Sequence, residues 1–215
     1  MEKRLGGKFI TFEGSEGAGK TTQSKLLVER LNKCGLEAVW TREPGGSEGA
    51  EEIRSLVLGG DVNRWDGITE LLLIYAARRV HTEKKIKPAL NRGALVVSDR
   101  YFDSSLAYQG FGHGLPLGQI NAVRNIVLGD FKPDLTLLLD VDIELGLSRA
   151  CANGGRNRFE DMDLEFHNRV REGFDQIYRD NRERFIRIDT TNVSEKDLSD
   201  RIFMKVSEFF DSRAK

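Results

Sequence analysis

The stretch Gly14-Ser-Glu-Gly-Ala-Gly-Lys20-Thr21 has the residue types and the G-x-x-x-x-G-K-[ST] spacing of a phosphate cradle. Glycines let the backbone curl until successive N–H groups point inward at phosphate oxygens, and a helix opening directly afterwards adds the positive end of its dipole. In such a loop the Lys20 ammonium reaches the β- and γ-phosphates of a nucleoside triphosphate, and the Thr21 hydroxyl faces Mg²⁺. The residues expected to hold the triphosphate are Gly14, Ser15, Glu16, Gly17, Ala18, Gly19, Lys20, Thr21 and Thr22. The motif predicts triphosphate binding; it does not choose among kinases, GTPases, motors and switches.

Other candidates lie further along the chain. Asp99 closes the apolar run Ala94 to Ser98, and a carboxylate at the carboxyl end of a buried parallel strand lies beside such a loop, where it can orient Mg²⁺. Asp140 and Asp142 end the next run and compete for that role, although Asp142 precedes a helix start and suits a cap. Arg54, Arg78 and Arg100 fall in segments that the element order brings to the same sheet edge, and a phosphate monoester calls for such permanently charged, bidentate partners. The Gly-rich stretch Asn153 to Asp163 carries Arg156 and Arg158, which a lid closing over nucleotide would deliver to the transferring phosphoryl group.

The elements that must position these residues alternate regularly. Strands are expected at Phe9 to Phe12, Ala38 to Trp40, Ala94 to Ser98, Leu135 to Asp140 and Phe185 to Ile188. The third and fourth are continuously apolar, as strands buried on both faces are. Helical spacing covers Thr22 to Lys33, Thr69 to Lys85, Gln119 to Leu128, Leu164 to Arg184 and a final helix capped by Ser194. Glu43 to Ala50 is polar and Gly-rich and is expected to be a loop. The pattern predicts an α/β domain with a five-stranded parallel sheet flanked by helices, the P-loop NTPase arrangement. The length of 215 residues suits one domain spanning residues 1–215, with a lid near 153–163.

Composition narrows the partners. The 33 basic and 34 acidic residues leave a formal net charge of -1, without the basic excess that duplex binding requires, so no nucleic-acid partner is expected. Cys34 and Cys151 form no metal spacing or disulfide framework, the amino-terminal stretch lacks the apolar core of a signal peptide, and the longest apolar run, Leu135 to Val141, is far too short to span a bilayer. A cytoplasmic protein without a membrane partner is expected. The histidines His81, His113 and His167 form no cluster in sequence.

Together these residues make the chain similar to bacterial thymidylate kinases. The match runs from Phe9 to about Thr191 and rests on Phe12 to Thr22, Thr41-Arg-Glu-Pro-Gly-Gly46, Ile53 to Leu58, Tyr75-Ala-Ala-Arg78, Asp99-Arg-Tyr101, Ser104-Ser-Leu-Ala-Tyr-Gln-Gly110, Phe131 to Thr136 and Asp140-Val-Asp142. The resemblance implies transfer of the γ-phosphate of ATP to dTMP with Mg²⁺. It also implies that Glu16 meets the sugar 3′-hydroxyl, Arg54 and Arg100 hold the dTMP phosphate, and Arg78 meets the thymine carbonyl. Ser105 and Gln109 would complete the base pocket, with Glu43 and Pro44 on its wall. No basic residue stands among Ser15 to Ala18, so the resemblance is to the members whose catalytic arginine sits in the lid, here Arg156 or Arg158, with Arg158 the first choice. Lys20 and Arg100 complete the catalytic set. Some relatives stack a Phe on the base where this chain has Ile74, leaving open whether Ile74 or the neighbouring Tyr75 faces it. The resemblance further implies a homodimer.

Overall fold

The computed structural model describes residues 7–152 and 158–213. Five parallel strands, β1 (Phe9–Glu13), β2 (Ala38–Arg42), β3 (Leu95–Asp99), β4 (Leu135–Asp140) and β5 (Phe185–Asp189), lie in the order β2-β3-β1-β4-β5. This is the expected sheet, and each predicted strand is present, β4 with the expected bounds and the others with one or both ends shifted by a residue or two.

Side-chain alternation explains the continuous apolar runs. Ile10 and Phe12 of β1, with Val97 of β3 and Leu137 of β4, pack on one face against α1 (Lys20–Lys33) and the last helix, α9 (Glu195–Ser212). Phe9 and Val96 point the other way, to Leu71 and Tyr75 of α3 (Gly67–His81) and Ile120 of α6 (Leu117–Leu128). Both faces are therefore covered, and the polar side chains the strands do bury are paired, as Thr11 Oγ1 is with Thr136 Oγ1 at 2.9 Å. A third cluster, with Val57, Ile74, Tyr108, Phe159, Phe166 and Val170, lies beyond the carboxyl edge of the sheet and supports the walls of the site.

Several boundaries differ from expectation for local reasons. The expected loop Glu43 to Ala50 already contains the start of a helix, α2 (Glu48–Leu58); Glu51 in its first turn folds back to accept from the Gly46 N–H at 2.8 Å. Helix α3 starts at Gly67 because Asp66 caps it, accepting from Ile68 N and Thr69 N at 2.9 Å each. It then passes through a π-helical turn, Thr82–Ile86, into α4 (Lys87–Asn91), where Pro88 is tolerated in the first turn. After β3 come α5 (Phe102–Ser105) and a π-helical stretch, Leu106–Gly112, and after β4 comes α7 (Ile143–Ala152). The helix expected to reach Arg184 ends sooner: α8 spans Leu164–Asp180, followed by a 3-10 turn at Arg182–Arg184. Ser194 caps α9 as expected, its hydroxyl accepting from Asp197 N at 3.1 Å. No helix among the described residues is long and apolar enough to cross a membrane.

Candidate active site

A cleft of about 570 Å³ opens at the carboxyl edge of the sheet, and the loop from Glu16 to Thr22 forms its floor. The loop is pressed into the fold: a Cβ on Gly17, whose φ is +67°, would meet the Gly146 carbonyl of α7 at 1.8 Å. Gly14 and Ser15 lie behind the floor, where their carbonyl oxygens take Arg100 Nη1 at 3.1 Å and Lys20 Nζ at 2.6 Å. Lys20 is buried; burial first, then the Arg100 charge, lowers its pKa to about 8. Thr21 Oγ1 donates to Asp99 Oδ2, while the other carboxylate oxygen, Oδ1, is buried with no hydrogen-bond partner among the described residues. Asp140 and Asp142 are occupied elsewhere. Arg187 Nη2 reaches Asp140 at 2.5 Å and Arg171 reaches it at 3.3 Å, and Asp142 caps α7 through Leu145 N at 3.1 Å. Of the three strand-end acids, Asp99 alone lines the cleft.

Arg100 organises the centre. It is the one non-glycine residue with positive φ, +69°, among the described residues, a conformation that costs about 1–3 kcal/mol. Two contacts hold it there: Arg100 N donates to Phe12 O at 2.9 Å, and Ser98 Oγ donates to Arg100 O at 2.8 Å. The twist turns the guanidinium into the cleft, where Nη2 reaches Glu16 Oε1 at 2.8 Å and the Tyr108 hydroxyl at 3.0 Å, and Nη1 reaches Ser104 Oγ at 3.1 Å. Burial alone would raise Glu16, but Arg100, Lys20 and the donating Tyr108 hydroxyl outweigh it and bring the carboxyl down to about 2. Behind them, the fully buried Glu13 accepts from Tyr101 N at 2.8 Å and Ser104 Oγ at 2.5 Å, pinning α5 to β1. Burial and the neighbouring Asp103 carboxylate push Glu13 well above its usual range.

One end of the cleft suits a base. Arg78 is almost fully buried, with Nε on Glu43 at 2.6 Å, Nη1 on Ser105 Oγ at 2.9 Å and Nη2 on Tyr101 O at 3.1 Å. Those contacts use three of its five N–H groups, leaving one on each terminal nitrogen. His81 fixes Glu43 from behind, with Nδ1 2.9 Å from Glu43 Oε1 and Nε2 2.6 Å from Thr41 Oγ1. Gln109 lines the same end, its Oε1 buried and unpartnered. Pro44 lines the wall, and its carbonyl accepts from Arg54 Nη1 at 2.6 Å. Of Ile74 and Tyr75, Ile74 lines the cleft, whereas Tyr75 is buried on the other side of α3, with the Arg78 guanidinium 4.5 Å from its ring centre.

The two arginines expected in a lid stand differently. Arg156 lies outside the described residues. Arg158 is described and does not line the cleft: its guanidinium is buried on Glu70 of α3, and it also donates to Val57 O at 3.2 Å and Val62 O at 3.1 Å. Spacing cannot distinguish a guanidinium that swings over a ligand from one that ties a lid root to the core, and the acceptors that capture Arg158 lie far away in sequence. Several cleft residues are not among the sequence candidates, Tyr108, Phe159 and Arg149 with them. Tyr108 and Phe159 form an edge-to-face pair, 5.7 Å between ring centres, on the cleft wall; Tyr108 lies inside the Ala-Tyr-Gln-Gly element, which was a usable signal. Arg149 stands at the far end, donating to Thr191 O at 2.9 Å beside Thr190 and Val193, and carries no sequence signal.

A phosphate loop with its lysine and threonine, facing an acceptor pocket ringed by arginines on a five-stranded parallel sheet, defines a small kinase of the P-loop NTPase class. Comparison with known proteins sharpens this: a family model described as thymidylate kinase matches residues 12–202, and the chain belongs to that family. A thymidylate kinase of Caulobacter vibrioides is 51% identical over 183 residues, 85% of this chain and 88% of that protein. One from Rhodopseudomonas palustris is 46% identical over 210 residues, 96% of this chain and 91% of that protein. Among solved structures, a thymidylate kinase from Ehrlichia chaffeensis superposes with a TM-score of 0.76 at 37% identity, covering 94% of this chain and 99% of the other.

Proposed function

We propose that the cleft transfers the γ-phosphoryl group of ATP to dTMP, giving ADP and dTDP. The observation that carries this reading is the pairing of functions at the acceptor end: Arg54 and Arg100 gather beside the phosphate loop, while Arg78 offers donors and Gln109 an acceptor to a base. Thymine presents a carbonyl and an N3–H, which match that pattern. Cytosine presents an amino group and a bare N3, which oppose it at both positions. The loop N–H groups, the α1 N-terminus and Lys20 hold the donor phosphates, and Arg149 with Val193 borders the place for its base. Glu16 turns toward the acceptor sugar, and Arg156 is the lid residue left to meet the transferring group. The acceptor phosphate is largely ionised at pH 7, so alignment and charge stabilisation suffice without a strong general base.

Mg²⁺ fits this reading. Thr21 and the unpartnered Asp99 Oδ1 supply hard oxygen atoms beside the loop, and no group of three or more His, Cys, Asp or Glu residues among those described forms an all-protein cage, as suits an ion that keeps waters and phosphate oxygens. When bound, the ion would neutralise charge on the phosphates.

Turnover measured with dTMP, dUMP, dCMP, dGMP and AMP tests the assignment. dTMP should be the best acceptor, dUMP about tenfold or more poorer for the missing methyl, and ATP hydrolysis without acceptor negligible. Equal turnover of all acceptors, or of none, would refute it. The Lys20 pKa of about 8 sets a second expectation. The ammonium is charged below that pH and neutral above it, so kcat/KM for ATP should decline as pH rises through about 8. In kcat the limb should move higher, because bound phosphate favours the ammonium. A flat kcat/KM profile from pH 7 to 9.5 would count against a depressed Lys20.

A cytoplasmic setting is part of the reading, in keeping with two exposed, unpaired cysteines, Cys34 and Cys151. So is a homodimer. Leu72 of α3 and Ile126 of the adjoining α6 stay exposed, Ile126 at 85%. Ile126→Lys should convert a sedimenting dimer to monomer, and an unchanged sedimentation coefficient would place the contact elsewhere.

A further inference from the structure

Glu70 is a fully buried carboxylate that the phosphoryl transfer itself does not use. It sits in the first turn of α3, and its two oxygens face different parts of the molecule. Oε1 accepts from Gln109 Nε2 at 2.6 Å and lies 3.2 Å from His113 Nε2; Oε2 accepts from Arg158, at the root of the lid. Burial alone would raise its pKa, but His113, Arg158 and Gln109 together hold it below the usual carboxylate range, so it is an acceptor at both oxygens.

An ionised carboxylate cannot face the oxygen of a side-chain amide at hydrogen-bond distance without lone pairs opposing each other. Gln109 must therefore turn its NH₂ to Glu70 and its Oε1 away from it. That Oε1 is buried, lies at the base end of the cleft and has no donor among the described residues. It is an acceptor set in place for a donor on the ligand.

We propose that Glu70 is the positioning residue that fixes the Gln109 amide with its oxygen toward the acceptor base, and so makes the pocket demand an N–H at the position where thymine has one and cytosine does not. The same carboxylate holds Arg158, so the group that orients the base reader also anchors the lid root. The inference rests on the base-facing role of Gln109 given above.

Glu70→Gln tests it with little change of volume. A glutamine at position 70 can offer its own NH₂ to Gln109 Oε1, which frees Gln109 to turn its NH₂ into the pocket. The expected result is a fall in kcat/KM for dTMP of about tenfold or more, carried mainly by KM, with a smaller fall or a gain for dCMP, so that the dTMP-to-dCMP ratio narrows by at least about tenfold. A structural role alone would lower both substrates together. An unchanged ratio overturns the proposal. Gln109→Leu separates the two layers: if it collapses the ratio and Glu70→Gln does not, the Glu70 assignment falls alone, and if neither variant moves it, the base-facing role of Gln109 falls as well.

Should Glu70→Gln fail to fold, the wild-type protein provides the measurement. In ¹⁵N spectra without dTMP, the Gln109 side-chain amide protons, assigned by their loss in Gln109→Glu, should be shifted from free-glutamine positions and exchange slowly with solvent. Free-glutamine shifts with rapid exchange would overturn the proposal.

Discussion

Arg158→Ala is expected to destabilise the protein by about 3–5 kcal/mol, and not chiefly to remove a catalytic group. The substitution strips the buried Glu70 carboxylate of its one permanently charged partner, leaving Gln109 and His113 at Oε1, and leaves the Val57 and Val62 carbonyls without the donors that now reach them. An uncompensated buried charge is the costly kind of vacancy, dearer than replacing a whole ion pair by apolar side chains. For a chain of this size the loss corresponds to a melting temperature lower by on the order of 10 °C. Arg158→Lys should recover only a fraction, because an ammonium cannot span a carboxylate and two carbonyls as the guanidinium does. Arg156→Ala provides the counterpart. If Arg156 is the lid residue that meets the transferring phosphoryl group, kcat should fall about 10³-fold with the KM for dTMP little changed. The two variants, measured by thermal unfolding and steady-state kinetics, exchange their signatures if the assignment is reversed. A fully stable Arg158→Ala with a thousandfold lower kcat would return the catalytic role to Arg158.

Local constraints made part of the fold and the site legible in the sequence. The strands were legible because burial on both faces forces continuous apolar runs such as Leu135 to Asp140, a constraint that acts within a few residues. The phosphate loop was legible for the same reason, since Gly14 to Thr21 carries its whole chemistry locally. Helix α2 was hidden because Gly45, Gly46 and Gly49 mask its start, while the Glu51 contact that steadies it depends on a fold-back of the chain. Ile74 and Tyr75 could be told apart only once the phase of α3 against the sheet was known. Arg158 and Glu70 are 88 residues apart, and no periodicity links them. Contacts of that range specify which polar groups face inward, and spacing does not carry them.

Arg100→Ala should reduce kcat/KM for dTMP by about 10³-fold or more, roughly 4 kcal/mol, with most of the protein's fold retained. The expected size follows from what the guanidinium does in one place. It is aimed into the cleft by a left-handed backbone that only tertiary contacts sustain, and it joins Gly14, Ser104, Glu16 and Tyr108. Removing it takes away the charge proposed to face the acceptor phosphate and also the main partner of Glu16. In the wild type Glu16 lies near 2, so it is ionised at every pH where the enzyme works, and the stability it contributes is full above the ordinary carboxylate range and is lost as pH falls from there through about 2. Without Arg100, the largest of the opposing causes, burial acts on Glu16 against only Lys20, Tyr108 and His167, and its pKa rises. The residual activity of Arg100→Ala should therefore climb with pH across the acid range, where the wild-type profile shows no limb from Glu16. Arg100→Lys discriminates between charge and geometry. A lysine restores the positive charge but has neither the planar fork nor the reach to hold four partners, so it should recover less than a tenth of the lost activity. Full recovery by lysine would show that a point charge suffices at this position, and that the strained backbone serves the fold and not the placement of the fork.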